Sequence, residues 1–262
     1  MNGVPLSLEG RVALITGGSR GIGAAAVRLF RRAGARVAFS YRAAEKEALA
    51  LQEECSGSEA CLAIQQELAS AADGEALVKA AVAHFGALHC MVANHGIWPP
   101  HDAPISAMTD AQWSRTLAVN LDSVFGLVRA SAAQMKQQEA INGVRGHMVL
   151  VSSTAGQRGE AFHADYAATK GAIISMTKGL STELAQDGIR VNCVAPGWVH
   201  TDMTVSTLTD PVASKRVFQT IPLGRVATPE EIAGPILFLC TPLAGFIAGE
   251  IFNVNGGAVL VG

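Results

Sequence analysis

Tyr166 and Lys170 stand four residues apart in Asp165-Tyr166-Ala167-Ala168-Thr169-Lys170, a stretch whose pattern predicts helix. Side chains at that spacing project from one helix face. An ammonium beside a phenol stabilises the phenolate and lowers a pKa that starts near ~10. Such a pair can hand a proton to a carbonyl oxygen, or take one from an alcohol. Tyr-x-x-x-Lys alone is weak evidence, because a solvated helix face carries it by chance. Ser153 lies thirteen residues before Tyr166, at the end of an expected strand. Its hydroxyl could bond a substrate oxygen and share developing charge, although strand-end serines are also common turn formers. Asn120 interrupts the apolar pattern Leu117-Ala118-Val119-Asn120-Leu121 inside an expected helix. Asn is unfavourable there without a purpose. It is either a satisfied buried polar group or one that bends the helix and holds a water.

A second group of residues could hold phosphate. Thr16-Gly17-Gly18-Ser19-Arg20-Gly21-Ile22-Gly23 follows an apolar run and opens a helical one. Glycines permit a tight turn and close backbone approach, and the helix start offers free N–H groups to a pyrophosphate. The spacing Gly-x-x-x-Gly-x-Gly lacks the Gly-Lys-Ser/Thr of nucleotide-hydrolysing loops. The second strand ends Ser40-Tyr41-Arg42, with no acid before Glu45. An acid at that point normally binds the ribose hydroxyls of NAD, whereas Arg20 and Arg42 suit a 2′-phosphate. NADPH is therefore expected over NADH.

The elements that must position these groups alternate. Strands are expected at Arg11–Thr16, Arg36–Tyr41, Cys61–Gln65, Leu88–Ala93, His147–Ser152, Arg190–Val194 and Gly249–Val254. Helices are expected to Ala33, over Ala43–Cys55, Ala71–Phe85, Thr109–Glu139, Ala164–Gln186 and Pro229–Leu239, with a variable segment at Pro196–Pro222. Strand alternating with helix implies an α/β fold with a mostly parallel sheet covered on both faces. One doubly wound Rossmann domain over residues 1–262 is the reading, since no stretch reads as a linker. In such sheets ligands bind beyond the carboxyl ends of the strands. Asn94 and Gly96 end strand four, and Pro196, Gly197 and Thr201 follow strand six.

Composition narrows the classes. The chain has 262 residues, 49% hydrophobic and 16% charged, as folded globular proteins do. A net charge of -2 and the lack of a basic run give no case for nucleic acid. Five scattered cysteines without CxxC spacing argue against a disulfide framework or zinc site, and no His/Cys cluster offers metal ligands. Met1 to Arg11 lacks the pattern of a signal peptide. Ile232–Ala248 is apolar but contains Pro235 and Pro242, and reads as buried helix, loop and strand rather than membrane span. A cytoplasmic protein without membrane or nucleic-acid partner is expected.

With these motifs in order, the chain resembles the short-chain dehydrogenase/reductases over nearly its whole length. TGGSRGIG, Asn120, Ser153, Tyr166-x-x-x-Lys170, Pro196-Gly197 and the closing Asn253-Val254-Asn255-Gly256-Gly257 carry the resemblance jointly. VNCVAPG (Val191 to Gly197) and GEIFNVNGG (Gly249 to Gly257) are similar to the 3-oxoacyl-[acyl-carrier-protein] reductases. The resemblance implies a seven-stranded sheet of order 3-2-1-4-5-6-7. It implies a tetrad of Asn120, Ser153, Tyr166 and Lys170, with Tyr166 as general acid/base, Ser153 polarising the carbonyl and Lys170 lowering the Tyr166 pKa. Asn120 would hold a water linking Lys170 to solvent. Cofactor contacts are implied first at Gly17, Ser19, Arg20, Gly21, Ile22, Gly23 and Arg42. Further contacts are implied at Glu67, Leu68, Asn94, Gly96, Pro196, Gly197, Val199 and Thr201, besides Tyr166 and Lys170. The family's Asn-Asn-Ala-Gly reads Ala93-Asn94-His95-Gly96 here, so His95 adds bulk, and the acid after strand three is the longer Glu67.

Trp98, Gln157 to His163, Trp198 and the segment 196–222 are expected to border the substrate, beside Ser153 and Tyr166. The substrate would be a ketone or alcohol, or an acyl thioester. His95, His101 and His163 are otherwise ordinary polar loop residues, and Trp98 and Trp198 could equally be plugs or interface residues. The apolar C-terminal region suits a homotetramer, or a dimer, by resemblance. Two rivals stand beside an NADPH-dependent carbonyl reductase. One is a secondary-alcohol, sugar or steroid dehydrogenase. The other is a silent dinucleotide-binding protein, which would be expected to lose Tyr, Lys or Ser.

Overall fold

Short apolar runs become strands buried on both faces. In β1 (Val12–Ile15), Ala13 and Ile15 enter one core while Val12 and Leu14 enter another. That alternation is required of a strand covered from both sides. The structure is a computed structural model and describes residues 6–261. The leader-free reading of Met1 to Arg11 falls partly outside the described residues.

Along the chain follow α1 (Gly21–Arg32), β2 (Arg36–Tyr41), α2 (Glu45–Glu54), β3 (Cys61–Gln65), α3 (Ala71–Phe85) and β4 (Cys90–Ala93). Next come α4 (Asp110–Leu117), a π turn (Ala118–Asp122), α5 (Ser123–Lys136), β5 (Gly146–Val151), α6 (Thr154–Arg158) and α7 (Ala164–Leu184). β6 (Ile189–Pro196), α8 (Val205–Thr209), α9 (Pro211–Gln219), α10 (Pro229–Leu239) and β7 (Ile251–Val254) complete it. The seven strands form one sheet, all pairs parallel, in the expected order β3-β2-β1-β4-β5-β6-β7. The order reverses between β1 and β4, which opens a crevice at their carboxyl ends.

Each face has its own core. Phe30 of α1, Leu51 of α2 and Ile236 of α10 pack on one side, and Leu77 of α3, Leu127 of α5 and Ile173 of α7 on the other. Helices α3 and α5 approach closely because Gly126 presents no side chain; a Cβ there would collide with Ala71 O.

Two expectations need correction. The single helical region Thr109–Glu139 is two helices separated by the π turn that carries Asn120. The segment Pro196–Pro222 contains α8 and α9. Asp210 caps α9 by accepting from Val212 N and Ala213 N, and Pro211 supplies a preset first turn. Among the described residues no helix is long and apolar enough to cross a membrane. No cluster of three or more His, Cys, Asp or Glu suited to a metal ion occurs among them either.

Candidate active site

The glycine turn leaves β1 through Thr16. Gly17 (φ +64°) and Gly21 (φ +53°) adopt the left-handed region in which a side chain would be strained. A Cβ on Gly18 would lie 2.5 Å from Phe39 Cβ, and one on Gly23 would collide with Gly17 O. Gly23 therefore serves packing rather than the crevice wall. Arg20 is the N-cap of α1, its side chain makes no capping bond, and no acid lies in the first turn. Free N–H groups and the positive end of the helix dipole remain for an anion. Gly17, Ser19, Arg20, Gly21 and Ile22 line the crevice, and they fit a pyrophosphate.

Beyond β2 the crevice wall is Ser40, Tyr41, Arg42, Ala43 and Ala44, without a carboxylate. Arg20 lines the same crevice as Arg42 and pairs with Asp202 at 3.1 Å; the Arg20 and Asp202 side chains are 64% and 71% exposed. So exposed a pair is worth at most ~1 kcal/mol and exchanges easily. Glu67 and Leu68 also line the crevice, and Glu67 Oε1 accepts from Arg115 Nη2 of α4 at 2.7 Å. Sequence reasoning did not mark Arg115. Asn94 crosses the switch point: its backbone N–H donates to Thr16 Oγ1 at 2.9 Å and its Nδ2 to Thr16 O at 3.0 Å.

Tyr166 and Lys170 line an adjoining pocket with Ser153, Pro196, Gly197 and Val199. This pocket shares Ile22, Asn94, Gly96, Trp98, Thr201 and Met203 with the crevice. Ser153 is the N-cap of α6 and accepts from Ala155 N at 3.1 Å. Lys170 Nζ donates to Val151 O at 2.8 Å and lies 5.7 Å from the centre of the Tyr166 ring. Burial pushes the Tyr166 phenol up to about 12; the Ser153 hydroxyl opposes the rise and Glu160 adds to it. Burial brings Lys170 down to about 8. The expected lowering of the phenol by the ammonium is thus corrected: loss of water dominates both groups.

Asn120 proves to be a satisfied buried group within the π turn. Its Oδ1 accepts from Ile97 N at 2.8 Å, and its Nδ2 donates to Ile97 O at 2.9 Å and Thr169 Oγ1 at 3.3 Å. A methyl added at Gly96 would lie 3.2 Å from Asn120 Oδ1 and 3.5 Å from Lys170 Nζ, so these groups converge there.

A family profile described as "Enoyl-(Acyl carrier protein) reductase" matches residues 17–259. The 3-oxoacyl-[acyl-carrier-protein] reductase of a Synechocystis species is 36% identical, over 97% of this chain and 99% of its own. The chain belongs to the short-chain dehydrogenase/reductase family. Membership makes it an NAD(P)-dependent oxidoreductase. A Brucella melitensis short-chain dehydrogenase/reductase, described as a glucose/ribitol dehydrogenase, matches with TM-score 0.89 at 35% identity, covering 98% of this chain and 100% of that one. A blue fluorescent protein from a metagenomic library, solved in complex with NADPH, matches with TM-score 0.87 at 32% identity, covering 97% and 100%.

On the substrate side of this short-chain dehydrogenase/reductase, Trp98 and Trp198 both reach the pocket. Their rings meet edge to face, centroids 6.2 Å apart. His163 does not line the pocket. It is buried behind Trp98, stacked at 4.7 Å and 15°, and its Nε2 donates to Pro99 O at 3.0 Å. Gln157 also misses it, because its Nε2 donates to Asn253 Oδ1 of β7 at 2.5 Å. Arg158 and Glu160, inside the expected 157–163 segment, and Met203, inside 196–222, line the pocket, although sequence reasoning singled out none of the three by residue. Burial raises the Glu160 carboxyl above its usual range, against the pull of His163 and a bond from Trp98. Helix α6 ends at Arg158 after little more than one turn and 159–163 follow as a connection, so too short a pattern exists for spacing to tell which of 157–163 faces inward.

Proposed function

We propose that this protein is an NADPH-dependent carbonyl reductase acting on a ketone such as a 3-oxoacyl thioester, with Tyr166 as general acid. The observation that carries this is the convergence of Tyr166, Ser153 and Lys170 in a pocket continuous with the crevice. A phenol that stays protonated up to about 12 can donate to an oxygen as it gains charge. Ser153 would donate to the same oxygen, and Lys170 holds positive charge beside it. Gly17, Ser19, Gly21 and the start of α1 would hold the pyrophosphate, and the nicotinamide supplies the hydride when bound. Arg20 and Arg42, with no acid at the end of β2, favour a 2′-phosphate. The Synechocystis relative's name supports the thioester. We further read residues 1–262 as one domain. Five buried free cysteines fit a reducing cytoplasm, and exposed Leu243, Phe246 and Leu260 fit a homotetramer.

A panel of ketones and acyl thioesters, followed by loss of the reduced-nicotinamide absorbance, tests this reading. NADPH should exceed NADH by at least about tenfold in kcat/KM, as a charge-assisted hydrogen bond allows. An NADH preference would overturn the arginine argument. Binding without turnover of any carbonyl would favour a silent dinucleotide-binding protein. A second reading is oxidation of a secondary alcohol, sugar or steroid. Arg158 and Glu160 favour it, since both can hydrogen-bond substrate hydroxyls. The same panel run from polyols with the oxidised dinucleotides separates the two.

A further inference from the structure

We propose that His95 is a positioning residue, an Nε2–H imidazole that ties the end of β1 to the π turn and holds Asn120 in register. The inference rests on the reductase reading for its kinetic consequence only. Thr16 Oγ1 accepts two N–H groups, Asn94 N at 2.9 Å and His95 N at 3.1 Å. With both lone pairs used, its own proton must point outward. His95 Nδ1 lies 2.8 Å away and Val92 O 3.3 Å, so the ring nitrogen takes the shorter bond. Nδ1 is therefore the acceptor, and the ring proton sits on Nε2. On that side Ser123 Oγ lies at 2.7 Å and Val119 O at 3.1 Å. Ser123 Oγ donates to Val119 O at 2.7 Å, so it receives the imidazole N–H. The chain has one direction: Thr16 hydroxyl to His95, His95 to Ser123, Ser123 to Val119 O.

An imidazolium would break this order by setting an N–H against the Thr16 hydroxyl proton. Lys170 is the charged group that bears on the ring; burial, with Lys170 second, holds His95 down to about 3. The consequence reaches the site because Val119 precedes Asn120 and His95 precedes Ile97 by two. Two rungs then join loop 95–97 to the π turn, one from His95 through Ser123, the first residue of α5, to Val119 O and one through Asn120. The same histidine touches the glycine turn, since a Cβ at Gly17 would lie 3.2 Å from His95 Cα.

The test uses the full chain saturated with NADPH and a ketone that it reduces. His95→Ala and Ser123→Ala should each lower kcat on the order of tenfold, with ketone KM within about twofold, as small misplacements do. Ser123→Ala leaves the imidazole in place and guards against a folding artefact. Both residues act through one chain, so the double variant should lose no more than the worse single one. Nitrogen NMR of the parent should show a neutral Nε2–H tautomer from about pH 6 to 9, and the Asn120 side-chain amide should shift in both variants. An Nδ1–H tautomer, an imidazolium, an unmoved Asn120 amide, additive losses, or a folded His95→Ala enzyme with full kcat would each overturn the proposal. If the parent reduces no carbonyl, the reductase reading fails, while the tautomer and the Asn120 amide still decide this one.

Discussion

At Tyr166 the loss of water outweighs every nearby charge, and this sets the direction the residue serves best. The phenol keeps its proton up to about 12, so it is an acid throughout the neutral range. Tyr166→Phe removes that proton with little change in volume. We expect turnover to fall by about 10²–10⁴, the usual weight of general acid catalysis, while NADPH affinity by fluorescence titration stays within about twofold. Unchanged turnover would remove Tyr166 from the reaction. Lys170 titrates first. Its folded pKa is lowered to about 8, so the ammonium is present below that pH and lost as pH rises through it. Reductive kcat should therefore decline above about pH 8 although the phenol remains protonated, and Lys170→Arg should flatten that limb. A parent profile level to pH 10 would show that the ammonium is not used.

Elements place these groups through glycines and one irregular turn. Gly126 lets α5 lie against Ala71 of α3, and α5 continues from the turn that holds Asn120. Gly126→Ala should destabilise the fold by about 1–3 kcal/mol, the range for overpacking, measured by urea unfolding. A wild-type midpoint would mean that the helices part freely. Much of this level was legible in the sequence. Strand runs such as RVAFSY are apolar because both faces are covered, and glycines mark the turns between them. The π turn was not legible, because one inserted residue leaves the apolar pattern looking helical; only Asn120 betrayed it. The segment Pro196–Pro222 reads only as variable in the sequence, and helices as short as α8 and α9 leave too few turns for a periodic pattern. Gln157 and His163 were misplaced for a simpler reason: one lies in the five-residue α6 and the other is the N-cap residue of α7, and neither short stretch has a pattern that fixes side-chain direction. His95 read as mere bulk, since its three polar partners come from distant segments.

Among the described residues two cores cover the sheet, and several large apolar side chains late in the sequence stay exposed. Leu243, Phe246 and Leu260 are exposed in the single chain, Phe246 completely. If the proposed homotetramer forms through these side chains, Phe246→Asp should shift the mass seen by light scattering toward smaller species, with little effect on the unfolding curve of the monomer; a monomeric parent would refute the proposed tetramer. The sheet order has a consequence in time. Every strand pair is parallel, so each must be joined by a crossover of about a dozen residues or more, here containing helix. The widest span is at the crevice itself, where Ala13 pairs with Cys90 and Ile15 with Val92. Pairings so distant in sequence form slowly. In refolding from urea, quenching by added NADPH should return later than helical ellipticity, and simultaneous recovery would contradict this. On the ribosome, a nascent chain that has released the glycine turn and Arg42 still has one flank of β1 bare. It cannot hold the dinucleotide until β4 emerges, so a growing chain has no use for its cofactor as an early folding template.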